Sequence, residues 1–437
     1  MLLTKVSTDT SLTSGYLELV IKNVNFRNLW IGQIISLLGD WFNLIASAAL
    51  VAMLTQSGLA VGGLFVIRML AQFFASPIGG VLADRYDRKK ILIATDVFRA
   101  VIVLGFLLVR DPGDVWLLYV LTAAQLALAG IFIPTRDAIL PDVVTERDIG
   151  AANALNSVTW SSMLAFGAAL GGLVAGNWGI QPAFIIDSLT FLLSGFFISR
   201  IVYSPSYDVN LAENRVSGIG LRVIVAEYSN GLRYLNTHRN ILIISLQKAT
   251  MALGVTSVFQ IIQVTLAAQV FIIGEGGSTS LGIFYAVVGV GTGIGPILAR
   301  LFTGDKESRL RQAIVIGYAI AALGLLIIST LSTFEVVLFG TFLRGLGASI
   351  CWVFSSQLLL LMLPNRVRGR IFSTEYALFT LANALGAGFG GWAFDNLYIT
   401  LSQMLWGMAV LTLSFGILWT MLGLLHASGD VEISEIQ

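Results

Sequence analysis

The chain has 437 residues, of which 56% are apolar and only 12% charged, against roughly 25% charged in an ordinary soluble domain. That balance excludes a water-soluble globule of this length, whose surface would need far more than 26 basic and 25 acidic side chains. The net charge of +1 gives no basic excess for phosphates, and one Cys with two His leaves no disulfide and no His- or thiolate-based metal site. No nucleic-acid partner and no cofactor are therefore expected.

Apolar windows long enough to cross about 30 Å of hydrocarbon predict twelve transmembrane helices. They lie at 29–54, 61–83, 91–109, 115–134, 153–176, 182–202, 241–269, 280–301, 313–331, 336–357, 372–394 and 401–425. The polar segment 1–28 that precedes them lacks the apolar stretch of a signal peptide. Placing both termini in the cytoplasm puts 21 of the 26 Lys and Arg residues in cytoplasmic segments and one, Arg110, outside. Cytoplasmic loops collect basic residues, so an even number of spans with both ends inside is expected.

In chain order, the first helix carries Gln33, Ser36, Asp40, Asn43 and Ser47 at helical spacing along an otherwise apolar span. Such a stripe should face protein or water. Asp40 lies about 17 Å along the axis from residue 29, near the bilayer midplane. A carboxylate at that depth is a functional candidate, here for proton exchange, with a structural hydrogen bond beside Gly39 as the plainer reading. Asp96 and Arg99 share a face of the third helix and are expected to pair. Asp187 in the sixth helix and Glu375 in the eleventh, taken to lie nearer the membrane faces, are secondary proton candidates. The fifth and eleventh helices carry glycines suited to close packing, Gly171 and Gly172 in one, Gly390 and Gly391 in the other.

The segment 203–240 divides the chain nearly in half and reads as a cytoplasmic linker. Leu221, Ile224, Tyr228, Leu232 and Leu235 recur at helical spacing within it, suggesting a surface helix. Beyond it, Thr256, Gln260 and Gln263 line one face of the seventh helix and are expected to oppose the stripe of the first across a cavity. Arg344, deep in the tenth helix, is expected to face the interior, where it binds an anionic group, neutralises a carboxylate or bridges the bundle. Arg68 and Lys248 lie near enough to their helix ends to snorkel. The Gly289 to Gly293 run has no Walker lysine and no preceding strand, so it reads as helix packing. A tail, 426–437, ends the chain.

The halves echo each other. Gly79-Gly-Val-Leu-Ala83 matches Gly295-Pro-Ile-Leu-Ala299, Leu140-Pro141 matches Leu363-Pro364, and Gly171-Gly172 matches Gly390-Gly391. A parallel repeat of six spans plus six, 29–202 and 241–425, resembles the major facilitator transporters, whose halves rock about a midplane site. The loop Gly80-Val-Leu-Ala-Asp84-Arg85-Tyr-Asp87-Arg88-Lys89 resembles the signature of that superfamily between its second and third helices, with Asp87 where glycine is usual. In the second half Arg300 stands where the repeat places Asp84. Gly39-Asp40, Asp96-Val-Phe-Arg99, Pro134-Thr-Arg136-Asp-Ala-Ile-Leu-Pro141, Asp187 and Arg368-Gly369-Arg370 resemble the bacterial drug-efflux branch that includes macrolide exporters and the enterobactin exporter.

The resemblance implies an all-α membrane protein of two six-helix bundles in a bacterial inner membrane, not an enzyme. It implies a secondary transporter, proton-coupled and exporting amphiphilic small molecules by alternating access, and a monomer among membrane lipids. Gly80, Asp84, Arg85, Arg88 and Lys89 would form the gate, joined by Asp96 and Arg99. Export of one metabolite such as a siderophore, or movement of a lysophospholipid, stands beside drug export. A receptor or scaffold that kept the fold has no need of a central carboxylate.

Overall fold

The computed structural model describes residues 12–145, 148–202, 233, 235–304, 306–363 and 365–434. The described residues are helical, without strands, and twelve helices are long and apolar enough to cross a membrane. The spans run Val24–Thr55, Gly58–Ala83, Arg88–Leu108, Pro112–Val143, Ala151–Asn177, Ile180–Ser199, Arg239–Val270, Glu275–Thr303, Glu307–Ser329, Phe334–Met362, Thr374–Asn396 and Leu401–Leu422. All twelve overlap the expected ones. The surface helix expected around residues 221–235 lies outside the described residues, apart from Leu235, which is buried.

Local chemistry fixes several span starts. Asn23 accepts a hydrogen bond from the Phe26 amide, Ser57 from Ala60 and Thr333 from Val336, each satisfying a donor that the first helical turn leaves open. Asp87 does the same for the Lys89 and Lys90 amides, which gives the departure from glycine a structural role. Pro77 and Pro296 lie inside the second and eighth spans, within one turn of each other in the alignment of the repeat. The fourth span continues through Pro134 and Pro141 to Val143, beyond the end expected from hydropathy.

Packing repeats between the halves. The first span packs on the fifth and sixth and the second on the fourth; the seventh likewise packs on the eleventh and the eighth on the tenth. The halves meet where the fifth span lies on the eighth and the second on the eleventh, a symmetric pair of crossings. Gly172 and Gly282 make the first crossing possible: a Cβ on Gly172 would lie 2.7 Å from the Gly282 Cα and the Ser278 carbonyl. Such small-residue contacts let membrane helices approach at backbone distance. Within the run Gly289 to Gly293, Gly289 packs on Ala165 and Gly291 on Phe342, whereas Gly293 has open space beside it.

Candidate functional site

A cavity of about 630 Å³ lies between the halves. Gln33, Ser36 and Asp40 of the first span form one wall; Thr256, Gln260, Gln263 and Arg344 contribute from the second half. Trp41, Phe132, Phe259 and Trp352 add aromatic faces, whereas Phe42 and Phe354 are buried away from it. The seventh span leaves regular α geometry in a π turn at Ala252–Thr256, ending on the cavity-lining Thr256; such turns recur at functional sites.

The stripe of the first span reaches the cavity only in part. Asn43 does not line it: it is fully buried beside Asp187 of the sixth span. Asn43 projects within about 20° of Ser36 on the helix, so the sixth span, which brings Asp187 against it, and not its angular position takes it out of the cavity. Ser47 is fully buried and donates to the Asn43 carbonyl of its own span at 2.6 Å.

Arg99 is the hub of the polar wall. Its guanidinium forms an ion pair with Asp40, donates to Ser36 Oγ at 3.2 Å, and lies 3.8 Å from Asp96. Ser194 donates to Asp96 at 2.7 Å, and the Phe191 ring lies 3.9 Å beneath the Arg99 guanidinium. Arg99 therefore belongs to the central cavity wall, with Asp96 fully buried behind it, and neither belongs to the cytoplasmic loop with which the sequence groups them. The third span carries them inward, one turn apart.

Asp187 is fully buried, and it lies against Gly39, where a Cβ would run into its Oδ1 and into Thr190 Oγ1. It stands at the level of Asp40 behind the first span, deeper than its sequence position suggests. Glu375 is buried too. It accepts from Lys248 Nζ at 2.9 Å, and Lys248 sits 4.5 Å from the Trp352 ring centroid. Lys248 is thus paired in the bundle and does not snorkel. Arg68 turns into the cavity wall instead of reaching the interface, because the eleventh span seals that end of the second. Arg136, expected in a loop, also lines the cavity and donates to Gln33 at 3.1 Å, since the fourth span carries it inside.

Around the signature loop, Arg88 donates to the Ala83 and Ala138 carbonyls and pairs with Asp142 at 2.7 Å, while Lys89 donates to the Ile201 carbonyl. These bonds tie the loop to the fourth and sixth spans of its own half. Arg85 is exposed, and Gly80 has open space beside it. The Asp84 side chain lies outside the described residues, as do those of Arg368 and Arg370.

At the opposite end the halves are clasped. Asp395 of the eleventh span accepts from Ser57 Oγ and from the Gly58 and Leu59 amides at 2.6 to 3.0 Å. Glu275 accepts from the Ile180 amide at 3.2 Å, and Thr279 donates to the Gly172 carbonyl at 3.1 Å. Sequence reading passed over Asp395 and Glu275, which look like ordinary loop charges. Their signal is position, each facing the start of a span in the other half.

The family model described as transmembrane secretion effector matches residues 19–434. The chain is 26% identical over 426 residues to YfiS of Bacillus subtilis (strain 168), an uncharacterized MFS-type transporter, covering 94% of this chain and 95% of that protein. It is 27% identical over 330 residues to the multidrug resistance protein MdtG of Salmonella paratyphi C (strain RKS4594), covering 74% and 76%. A crystal structure of a mutant of the nucleoside transporter NupG matches with a TM-score of 0.70 at 11% identity, over 91% of this chain and 99% of that one.

Proposed function

The chain belongs to the transmembrane secretion effector family of major facilitator transporters, and on that premise we propose that it exports amphiphilic small molecules from the cytoplasm in exchange for protons. It is a multi-pass membrane protein, and its bacterial relatives suggest the inner membrane. One observation carries the coupling: Asp40 faces the central cavity with Arg99 as its ion-pair partner. A carboxylate on a cavity wall can be reached by protons and by substrate in turn, and its pairing with Arg99 changes when it is protonated.

On the topology implied by the Lys and Arg distribution, the clasped end is external and the cavity opens inward. In the proposed cycle the outward-open carrier protonates Asp40, the halves rock, and proton release inside accompanies capture of the amphiphile. Asp84 and the basic residues around it are proposed as the cytoplasmic gate, closing the end that is open here. The cavity's aromatic faces suit an amphiphile whose apolar body varies.

Reconstitution tests this. In proteoliposomes with the cytoplasmic face outward, an acid lumen should drive uptake of an amphiphilic dye severalfold above its rate without a gradient. Equal rates under both conditions overturn proton coupling, and no protein-dependent uptake of any amphiphile overturns the export reading.

A further inference from the structure

The cavity wall carries four guanidinium groups, those of Arg68, Arg99, Arg136 and Arg344, against one carboxylate, Asp40. Two are balanced locally. Arg99 pairs with Asp40 and lies near Asp96, and Arg136 pairs with Asp137 at 3.0 Å. The other two are not. Arg68 Nη1 is buried without a hydrogen-bond partner among the described residues, as is Arg344 Nε. Arg344 gives one hydrogen bond, to the Val255 carbonyl at 3.2 Å, and lies 3.9 Å from the Phe259 ring centroid. The nearby acids fill the gap only in part: Asp40 is within electrostatic reach of Arg68 but is already the ion-pair partner of Arg99, Asp187 is within reach too but lies behind the cavity wall, and Glu375 is taken by Lys248.

Arg68 comes from the first half and Arg344 from the second. Tyr285 of the eighth span, which also lines the cavity, lies within electrostatic reach of both, with Gln263 as its hydrogen-bond neighbour. Two guanidinium groups that line one cavity from opposite halves, both within electrostatic reach of one phenol, suit a single oxyanion, because guanidinium groups bind carboxylate, sulfonate and phosphate oxygens in pairs. A buried cation without a counter-ion is costly, so the two groups gain from an anion that arrives with the substrate. The aromatic faces beside it would hold an apolar body.

We propose that this transporter takes amphiphilic organic anions, with the anionic head held between Arg68 and Arg344 and the apolar body along the aromatic wall. The proposal rests on the export reading above and narrows its substrate class. An anion bound by both halves also gives the ligand a differential grip on the states in which the two halves are close, which any substrate-driven rocking requires.

The probe is a matched pair, 8-anilinonaphthalene-1-sulfonate and N-phenyl-1-naphthylamine, which share a ring system and differ in the anionic group. Binding to purified protein in neutral detergent is read by energy transfer from tryptophan, with protein-free micelles subtracted. The sulfonate should bind at least tenfold tighter than the neutral amine. Arg68→Gln and Arg344→Gln should each weaken sulfonate binding about tenfold and leave the amine within twofold. Equal affinity of the two probes for the unsubstituted protein, or an equal loss of both in the variants, overturns the proposal. Should a Gln variant fail to fold, the Lys variants decide: they keep charge but lose the paired donors, so an intermediate loss is expected and unchanged sulfonate binding overturns it. Competition by lysophosphatidylglycerol or by naphthalenedisulfonate tells a lipid head group from a soluble anion, and displacement by neither overturns the site. Binding needs no gradient, so failed proton-driven uptake would leave this result standing, and loss of sulfonate preference would leave the coupling cycle standing.

Discussion

Asp395 holds Ser57 across the boundary between the halves: its carboxylate accepts from the Ser57 hydroxyl at 2.6 Å and takes the next two amides of the second span as well. Unpaired amides and the helix dipole make a span's N-terminus a natural seat for a carboxylate. Here the seat belongs to one half and the carboxylate to the other. Glu275 repeats the device on the sixth span at the Ile180 amide.

If these contacts hold that end closed, Asp395→Asn and Glu275→Gln should populate the opposite state. Each charge at a helix terminus contributes about 0.3–2 kcal/mol, or roughly a 2- to 30-fold shift in the balance. Thr292→Cys, placed on the cavity wall in a Cys351→Ala background, should then react faster with an impermeant thiol reagent from the clasped side. Labelling no faster than in the unsubstituted carrier would show that the clasp does not govern access.

Much of the architecture was legible because the membrane imposes it. Twelve apolar stretches have no other use in a chain with so few charges, and backbone groups in lipid can be satisfied within helices. The cavity side of the first span was legible at Gln33, Ser36 and Asp40 and failed at Asn43, which the sixth span covers at Asp187. Pairing across spans was not legible. Nothing along the chain joins Arg99 to Asp40 or Lys248 to Glu375, and Arg68 looked free to snorkel because the neighbour sealing its helix end comes from the other half. Arg136 was misplaced by the fourth span's prolines, which a bundle tolerates inside a helix.

Gly39 permits the first and sixth spans to meet at Asp187 and Thr190. Gly39→Ala should overpack that contact and lower stability by about 1–3 kcal/mol, visible as a fall in the thermal unfolding midpoint in detergent. Gly80→Ala, where a Cβ meets nothing within 4 Å, is the control and should show no loss. Equal midpoints for Gly39→Ala and the unsubstituted protein would mean that the spans separate at no cost.

Orientation can be read directly. With Cys351 replaced by Ala, cysteines at Gly113, Ser332 and Asn396 should react with an impermeant reagent applied to intact cells, and cysteines at Lys90 and Lys306 should not. All five positions are exposed. The reverse pattern would invert the topology, and with it the direction in which the cavity opens.

The buried Lys248–Glu375 pair separates a structural carboxylate from a coupling one. Glu375→Gln strands a buried ammonium, a change that costs about 3–5 kcal/mol when one partner of such a pair is removed. Lys248→Met combined with Glu375→Leu removes both charges and should recover most of that stability. Transport driven by a pH gradient should survive in the double variant. Its loss, with stability recovered, would move proton coupling into the second half.

Asp40 is the remaining carboxylate that both lines the cavity and holds a partner on another span. Asp40→Asn keeps its shape and fixes the neutral state, so Arg99 is left with Ser36 and with Asp96 at 3.8 Å. That residual pairing should keep the protein folded. Without a group to load and unload, a pH gradient can no longer drive accumulation, and uphill transport in everted vesicles should fall to the level of vesicles lacking the protein. Binding should persist, because the aromatic faces and the second-half wall are untouched. Exchange of substrate for substrate, which needs no net proton movement, should persist with it. Full gradient-driven accumulation by Asp40→Asn would remove Asp40 from the coupling role, and Asp187, buried just behind it against Gly39, would be the next carboxylate to neutralise.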